Sequence, residues 1–267
     1  MLTEELKETA VAAARTAKWL GQPYYYYSVL GSTNDELKRL MSERSLIAGT
    51  VVLTDFQSQG RGRLNRSWVV PPGSSLLHSI LFKPEWPAVQ ANWLTMMVGL
   101  AAVAAIEAVT GLDGGLKWPN DVMVRQGGIW HKVGGILLEG QMADGRLQHA
   151  IVGLGLNVNV PLARMPETMT PATSLLIAGK RPISRLRLLM DFWQRLERLY
   201  ETADSPHLAW QQRLITLGQP VVVSQLGQTS ITGMAEATDI WGQLLVRDEA
   251  GQIHTVAAGD VTLRREG

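Results

Sequence analysis

The sequence predicts an α/β fold, with a central mixed sheet flanked by helices and a small C-terminal SH3-like β-barrel. Two observations predict it. Before Gly218, segments with helical periodicity alternate with short β-rich runs. After Gly218, short strand-like runs follow one another at regular spacing, which is typical of a small all-β unit. We therefore expect two domains, 1–217 and 218–267.

The individual elements follow from periodicity and turn residues. Helices are predicted over 2–20, from the Ser32-Thr33-Asn34 cap to about Glu43, over 91–109 and over 183–201. Strands are predicted over 24–29, 49–54, 76–82, 122–125, 132–138, 149–158, 221–225, 230–235, 242–247, 253–256 and 261–264. The four tyrosines at 24–27 are expected to pack within their strand rather than to form a stacking surface.

The composition excludes several classes of protein. A chain of 267 residues, 46% hydrophobic and 18% charged, is typical of a globular protein with a sizeable core. The absence of cysteine excludes disulfides and thiolate chemistry and leads us to expect the cytoplasm. The longest apolar stretch, 96–105, is too short to span a bilayer, and charges throughout 1–20 argue against a signal peptide. A net charge of +1 gives no general footprint for nucleic acid or anionic lipid.

The segment 55–73 is a long loop, and loops of this length are uncommon unless they have a function. Residues 57–68 read Gln-Ser-Gln-Gly-Arg-Gly-Arg-Leu-Asn-Arg-Ser-Trp. The glycines let the backbone approach an anion, and the three arginines carry forked guanidinium groups suited to phosphate. A merely solvated basic loop would have a similar composition, but Trp68 favours a nucleotide whose base stacks on the indole.

Two further segments concentrate polar chemistry beside predicted strands. Segment 117–121, Lys-Trp-Pro-Asn-Asp, offers a lysine that can neutralise a phosphoryl oxygen, and Asp121 can hold Mg²⁺ through water. Taken alone, such a turn is also an ordinary connection. Segment 132–139, Lys-Val-Gly-Gly-Ile-Leu-Leu-Glu, interrupts an apolar strand with two glycines. Strand glycines cost stability unless the backbone must bulge or lie close to a ligand.

In this order and at this spacing, the three segments resemble the signature of the biotin–protein ligase family. Three other segments agree with it: 31–35 (Gly-Ser-Thr-Asn-Asp), 152–159 (Val-Gly-Leu-Gly-Leu-Asn-Val-Asn) and 259–264 (Gly-Asp-Val-Thr-Leu-Arg). The resemblance spans nearly the whole chain. It implies the biotin–lipoate ligase fold, which is similar to that of class II synthetases, with a catalytic domain over 1–217 and an SH3-like barrel over 218–267.

The resemblance implies an enzyme that forms biotinyl-adenylate from biotin and ATP and then transfers biotin to a lysine of a biotin carboxyl carrier domain. The first step brings two anions together, so the enzyme must supply positive charge. Arg63, Lys117 and Lys132 would do so with Mg²⁺. Asp121 would have a metal-linked role. A glycine-flexible arginine loop would keep the adenylate from water until a neutral amine attacks.

The resemblance also assigns the binding residues. A ureido group needs donors and acceptors, and the valerate carboxylate needs a cation. The implied biotin contacts are Ser32, Thr33, Asn34, Gln57, Arg61, Gly62, Arg63, Lys132, Gly134 and Gly135. The implied ATP contacts are Arg63, Arg66, Trp68, Lys117, Asn120, Lys132, Asn157 and, for the phosphates, Arg264 in the barrel.

The sequence departs from the family pattern at four positions. Asn65 and the pair Ser74-Ser75 stand where the family usually has glycine, and His78 occupies a position that is usually apolar or aromatic. Asparagine tolerates positive φ better than other non-glycine residues. These departures are expected to change the kinetics of loop ordering rather than the reaction class, and His78 is expected to pack in its strand.

Two other functions are alternatives to that of a biotin–protein ligase. A lipoate ligase or octanoyltransferase shares the fold, but the Arg-Arg and glycine-triplet pattern of that family is absent. A non-catalytic nucleotide-binding or RNA-binding module would also use a basic loop and a barrel. The catalytic signature begins by residue 31, so we expect no helix-turn-helix domain and no operator binding. A homodimer is compatible with the sequence, which does not set the oligomeric state.

Overall fold

A computed structural model describes residues 6–166, 170–202, 204–225 and 230–263. The helices are α1 Glu8–Ala14, α2 Thr33–Glu43, α3 Asn92–Thr110, α4 Leu175–Gly179, α5 Arg185–Glu201 and α6 His207–Gln212. The strands are β1 Tyr24–Tyr27, β2 Val51–Thr54, β3 Ser75–Phe82, β4 Gly114–Lys117, β5 Asp121–Gln126, β6 Ile129–Ala143, β7 Arg146–Asn157, β8 Pro220–Ser224, β9 Ile231–Thr238, β10 Leu244–Arg247, β11 Ile253–Val256 and β12 Asp260–Leu263.

The large sheet is mixed, as the sequence predicted. Its seven strands follow the order β1-β2-β3-β7-β6-β5-β4, and β1 pairs with β2 in parallel. The other ladders are antiparallel. Because side chains alternate across a strand, one face receives α3 and α5, and the other receives α2. The α2 face also carries the long loop, and this face positions the site described below.

Helix α3 is the apolar centre of the fold. The span 88–110 is long and apolar enough to cross a membrane by length and composition, and 72% of its most apolar window is buried inside the protein. The expectation that the apolar stretch is too short to span a bilayer was therefore wrong for the helix as it forms. The burial is that of a core helix, since α3 packs against α5 and strands β4 to β7.

The N-terminal helix is shorter than predicted. Helix α1 covers only Glu8–Ala14, whereas the prediction ran over 2–20, and residues 1–5 lie outside the described residues. The cause is tertiary. The carboxylate of Glu197 on α5 accepts hydrogen bonds from the backbone N–H groups of Lys18, Trp19 and Leu20, at 2.6–2.9 Å. These amides are therefore unavailable to a continuing helix.

Three short elements were not predicted: β4, α4 and α6. Each is six residues long or less, which is too short to show a clear period. Strand β4 also begins with two glycines, which disfavour strands when taken alone. By contrast, the predicted end of α2 at Glu43 and the whole of β11 are confirmed.

The C-terminal strands form a five-stranded antiparallel sheet in the order β11-β10-β9-β8-β12. Within the described residues no ladder joins β11 to β12, so the sheet is not a closed barrel. The buried side chain of Trp118 connects the C-terminal sheet to the rest of the protein. Trp118 Nε1 donates to the carbonyl oxygen of Gly242 at 2.8 Å, and its backbone N–H donates to Thr216 Oγ1 at 2.9 Å. Trp118 is therefore a structural residue.

His78 packs inside the fold, as predicted. It is 1% exposed, and its ring meets Phe192 edge-on with centroids 5.4 Å apart. Neither ring nitrogen has a hydrogen-bond partner among the described residues. Burial lowers the pKa of His78 to about 3.

We expect His78 to make the fold sensitive to acid and His78→Leu to remove that sensitivity. In the unfolded chain the imidazole takes up a proton near its ordinary pKa of about 6.5, while in the folded protein it stays neutral. Between those two pKa values the unfolded state binds more protons, so stability falls as the pH falls, by up to about 1.4 kcal/mol per pH unit. Urea unfolding at pH 7.5 and 5.0 should show the unsubstituted chain losing about 2 kcal/mol more than the variant. Equal losses would contradict this.

Candidate active site

The long loop is folded back on itself by its own backbone. Trp68 N–H donates to the Gly60 carbonyl at 2.8 Å, and Gly62 N–H donates to the Arg66 carbonyl at 2.7 Å. A Cβ on Gly60 would lie 2.2 Å from the Trp68 carbonyl oxygen, so only glycine permits this approach. The sequence predicted a flexible loop. Its backbone here is a compact turn anchored at both ends.

Asn65, Ser74 and Ser75, which stand where the family usually has glycine, affect the local structure of the loop and of the strand that follows it. Among the non-glycine residues of the loop, the positive φ falls on Leu64, at 52°, and not on Asn65, whose side chain lies outside the description. Ser74 Oγ donates to the Pro71 carbonyl at 2.6 Å, which fastens the end of the loop. Ser75 Oγ is buried without a partner among the described residues.

Trp68 lies over a floor of glycines in β6 and β7. Gly135 and Gly155 are direct partners across the two strands. A Cβ on Gly155 would lie 3.0 Å from the indole and would push the ring away, whereas a Cβ on Gly135 would lie 3.5 Å from it, an ordinary contact distance. Trp68 Nε1 is buried and has no partner among the described residues. Gly134 faces the opposite side, where its Cβ would meet Leu156 at 2.4 Å. Packing alone therefore requires glycine at Gly134.

One end of this floor is lined by hydroxyl and amide groups. Thr33 and Asn34, in the first turn of α2, are 4% and 3% exposed, and Ser32 before them is also buried. Gln57 Oε1 accepts from Thr33 N–H at 2.8 Å and from Thr33 Oγ1 at 3.1 Å. Ser79 Oγ donates to Asn34 Oδ1 at 2.5 Å. The structure thus brings the predicted residues of 32–34 and Gln57 together.

The same end carries a carboxylate that the sequence analysis missed. Glu139 accepts from Asn34 Nδ2 at 2.6 Å and from Lys38 Nζ at 2.7 Å. Arg61 forms an ion pair with Asp35 and lies 3.6 Å from Glu139. Alternation along β6 puts Glu139 on the same face as Gly135, which is the sequence signal that could have revealed it.

The other end gathers cations around Asp121. Lys132 Nζ lies 2.5 Å from Asp121 Oδ1, and 5.7 Å from the centre of the Trp68 ring. Asp121 is the cross-strand partner of Lys117 in β4 and β5, and Arg63 hydrogen-bonds Asn120, the residue before Asp121, so all three cations lie around this carboxylate. Burial lowers the pKa of Arg63. Burial also lowers the pKa of Lys117, assisted by the charge of Lys132 and opposed by that of Asp121.

Hydrogen bonds hold Arg63 and Lys117 in place, the first through the amide of Asn120 and the second through the hydroxyl of Thr170. Arg63 Nη1 donates to Asn120 Oδ1 at 3.3 Å, while Asn120 Nδ2 donates to the Ile136 carbonyl at 2.7 Å. Lys117 Nζ donates to Thr170 Oγ1 at 3.1 Å. Asn120 therefore joins the arginine loop to β6.

A second missed feature is the segment 170–173, which runs beside Lys132. Lys132 N–H donates to the Pro171 carbonyl at 2.7 Å, and Thr173 N–H donates to the Lys132 carbonyl at 2.9 Å. Asn157, at the end of β7, donates through Nδ2 to the Thr173 carbonyl at 3.2 Å. Its Oδ1 is buried without a partner among the described residues. The segment therefore joins Lys132 to Asn157.

The C-terminal sheet reaches the arginine loop. Arg63 Nη1 lies 3.3 Å from the Gly259 carbonyl oxygen, and Arg66 forms an ion pair with Asp260. The predicted phosphate ligand Arg264 lies outside the described residues. The C-terminal sheet thus contacts the same loop through Gly259 and through Asp260, the first residue of β12.

The described residues do not form a metal site of their own. They contain no group of three acidic or histidine side chains that could hold an ion. Asp121, the predicted metal-linked residue, is engaged by Lys132. Mg²⁺ that depends on phosphate oxygens needs few protein ligands, and it would have to enter with a nucleotide.

Comparison with known proteins agrees with this geometry. Residues 26–157 match the model of the biotin/lipoate A/B protein ligase family, and residues 216–264 match that of the biotin protein ligase C-terminal domain.

Named relatives cover most of the chain. The biotin–[acetyl-CoA-carboxylase] ligase of Mycobacterium tuberculosis is 35% identical over 86% of this chain and 85% of its own length. The ligase of the same name from Paracoccus denitrificans is 30% identical, over 83% and 92%. The solved structure of the Aquifex aeolicus biotin protein ligase in complex with biotin and ATP superposes with a TM-score of 0.72, at 30% identity, covering 90% of this chain and 98% of that one. The chain is therefore a member of the biotin protein ligase family.

Proposed function

We propose that this enzyme forms biotinyl-5′-AMP from biotin and ATP and transfers the biotin to a lysine of a biotin carboxyl carrier domain. One observation carries the proposal: Arg63, Lys117 and Lys132 lie around Asp121 at one end of a glycine floor whose other end is lined with hydroxyls and amides. Such a site suits a ligand with a neutral polar head and an anionic tail.

The proposed first step joins the two anions. An oxygen of the biotin carboxylate attacks the α-phosphorus of ATP, the bond to the bridging oxygen breaks, and pyrophosphate leaves. Negative charge accumulates around the α-phosphorus, where Lys132, Lys117 and Arg63 neutralise it from fixed positions. Asp121 holds Lys132, Asn120 holds Arg63 and Thr170 holds Lys117, so little reorganisation is needed during the reaction.

We assign the two substrates to the two ends of the site. The biotin head lies against Ser32, Thr33, Asn34 and Gln57, with Arg61, Gly62, Arg63, Lys132 and Gly135 along its path. Gly134, a predicted biotin contact, faces the core on the opposite side of the sheet and is not part of this path. The adenylate lies near Trp68, Arg66, Asn120 and Asn157. The buried Trp68 N–H and Asn157 Oδ1 support this assignment, because they are a donor and an acceptor without partners among the described residues, which a heteroaromatic base would satisfy once they are uncovered. We retain Arg264 as a proposed phosphate contact.

In the proposed second step, the uncharged carrier amine attacks the carbonyl carbon of the mixed anhydride. The amide bond forms, AMP leaves with the electron pair, and the amine gives up a proton. Water would compete for the same carbon, so the arginine loop must cover the intermediate. Mg²⁺ is proposed only as a companion of the ATP phosphates. Asp121 retains a proposed link to it through water.

One experiment tests the reaction. The chain is incubated with ATP, Mg²⁺, biotin and a purified carrier domain, and a gain of one biotinyl group is sought by mass spectrometry. Pyrophosphate–ATP exchange, run separately with biotin, lipoate and octanoate, distinguishes the rival ligases. Exchange with lipoate but not biotin would favour the alternative, which the match of residues 216–264 to the biotin protein ligase C-terminal domain argues against. No exchange with any acid would favour a non-catalytic nucleotide-binding module.

The loop geometry yields a first prediction for this activity. We expect Gly60→Ala to lower kcat/KM for biotin-dependent exchange by about a hundredfold, because the methyl group would displace the backbone that carries Trp68, and errors of about 1 Å have effects of this size. Gly179→Ala is the matched control, since its Cβ would meet nothing closer than 3.9 Å. Equal activities of the two variants would contradict the prediction.

The domains of the enzyme, the shape of its C-terminal sheet and its location are part of the same proposal. We propose a division into domains 1–217 and 218–267, an SH3-like curvature of the C-terminal sheet, and a cytoplasmic location. The bulge in the β9–β10 register supports the curvature. The net charge of +1 supports a protein partner rather than DNA or a membrane. Sedimentation at several concentrations would decide whether the enzyme is a homodimer.

A further inference from the structure

We propose that Glu139 is a positioning residue for the biotin end of the site, acting through the side-chain amide of Asn34. This inference rests on the proposed function and extends it to a residue that neither the resemblance nor the relatives' names assign. Glu139 lies in β6 on the sheet face that carries α2.

The side-chain amide of Asn34 is held in one orientation. An ionised carboxylate only accepts hydrogen bonds, so it admits the Nδ2 end of the amide and rejects the Oδ1 end. Glu139 Oε2 accepts from Asn34 Nδ2 at 2.6 Å, while Asn34 Oδ1 accepts from Ser79 Oγ at 2.5 Å. The two contacts fix both ends of a side chain that is 3% exposed.

This orientation leaves part of the hydrogen-bonding capacity of Asn34 available to a ligand. An amide has two N–H donors and two oxygen lone pairs. With one of each engaged, Asn34 retains one donor and one acceptor in a fixed direction, which suits a ureido group. The amide also needs Gly153 beneath it, since a Cβ there would lie 2.6 Å from Asn34 Oδ1.

The carboxyl group of Glu139 is held in its ionised form. Burial raises its pKa, but hydrogen bonds from Lys38 and Asn34, with the charges of Lys38 and Arg61, outweigh burial and bring the pKa below its ordinary value. The acceptor-only form is therefore the one present at neutral pH. Arg61 lies 3.6 Å from the same carboxylate, so Glu139 also lies beside the arginine loop.

The test compares Glu139→Gln with a control on the same network. Glutamine keeps the shape but can turn an N–H toward Asn34, so we expect the Kd for biotin, measured by calorimetry, to rise about tenfold or more, as for the loss of a charge-assisted hydrogen bond. The KM for ATP should change less than about twofold. Lys38→Ala removes the exposed partner and leaves the Asn34 contact, so its biotin affinity should stay within about twofold.

A second comparison separates positioning from mere structure. In an Asn34→Ala background, Glu139→Gln should weaken biotin binding by less than about twofold more, because the amide through which it acts is gone. Equal effects of Glu139→Gln with and without Asn34 would overturn the inference while leaving the proposed function intact. A variant that binds biotin like the unsubstituted chain would do the same.

Two further outcomes are decisive. If Glu139→Gln melts more than about 5 °C lower than the unsubstituted chain, Asn34→Ala decides instead, since the inference expects it to weaken biotin binding about tenfold and unchanged binding would overturn it. Failure of the unsubstituted chain to bind biotin would overturn the proposed function, and this inference with it.

Discussion

Lys132→Met is expected to lower kcat/KM for biotin-dependent pyrophosphate–ATP exchange by about a thousandfold, near the upper end for the loss of one electrostatic contact to a transition state. Two effects combine. The cation facing the α-phosphorus is lost, and Asp121, whose side chain is 15% exposed, loses the ammonium 2.5 Å away and presents an uncompensated carboxylate to the phosphates.

The second effect can be isolated. If the uncovered carboxylate contributes, the double variant Lys132→Met/Asp121→Asn should recover about tenfold of the lost activity. Lys18→Met is the control, because that side chain is 80% exposed and lies beside Glu201 of α5, which packs on the sheet face opposite the site. Exchange by Lys132→Met within tenfold of the unsubstituted rate would remove Lys132 from the proposed mechanism.

Arg63→Gly should release biotinyl-adenylate into solution about a hundredfold faster while still forming it. Its guanidinium joins the loop to Asn120 Oδ1 and to the Gly259 carbonyl, each at 3.3 Å, and such charge-assisted bonds contribute about 1.5–3 kcal/mol each at most. Glycine also adds backbone freedom where the loop must stay closed. The release is measured without carrier, by the rate at which labelled adenylate passes a filter that retains the protein.

Arg63→Lys is the matched variant for this prediction. It keeps the charge but loses the planar fork, so release should rise about tenfold, between the other two proteins. Retention of the intermediate by Arg63→Gly equal to that of the unsubstituted chain would show that the loop does not act as a cover. The formation rate serves as the internal check, because Lys132→Met should reduce formation about a thousandfold, whereas Arg63→Gly, which keeps Lys132 and Lys117 in place, should reduce it far less.

Local signals predicted elements with strong caps or clear periods. The Ser32 cap and the acidic first turn located α2, and the long apolar run located α3. The same signals failed where distant residues decided the outcome. The N-terminal helix ends at Ala14 although its pattern continues, because Glu197 takes the amides of 18–20. The strand β4 has no period to recognise, and pairing with β5 makes it a strand.

The candidate site shows the same division. Its charged groups and glycines were visible as residue types, but Glu139 and Thr170 were missed. Their partners Asn34 and Lys117 lie 105 and 53 positions away in the sequence. No local pattern encodes such pairings. Alternation along β6 placed Glu139 on the face of Gly135, yet its partner depends on how α2 packs against the sheet.

The sequence by itself determined the chemical groups and their order: an arginine loop with two glycines, two lysine segments, and hydroxyls at the start of a helix. Only the tertiary structure decided that Arg63, Lys117 and Lys132 lie around one aspartate, that Gly135 faces Trp68 while Gly134 faces the core, and that Asp260 of β12 pairs with Arg66 of the loop. The physical reason is that residue type sets what a side chain can bind. Strand register and the closure of long loops set which side chains meet.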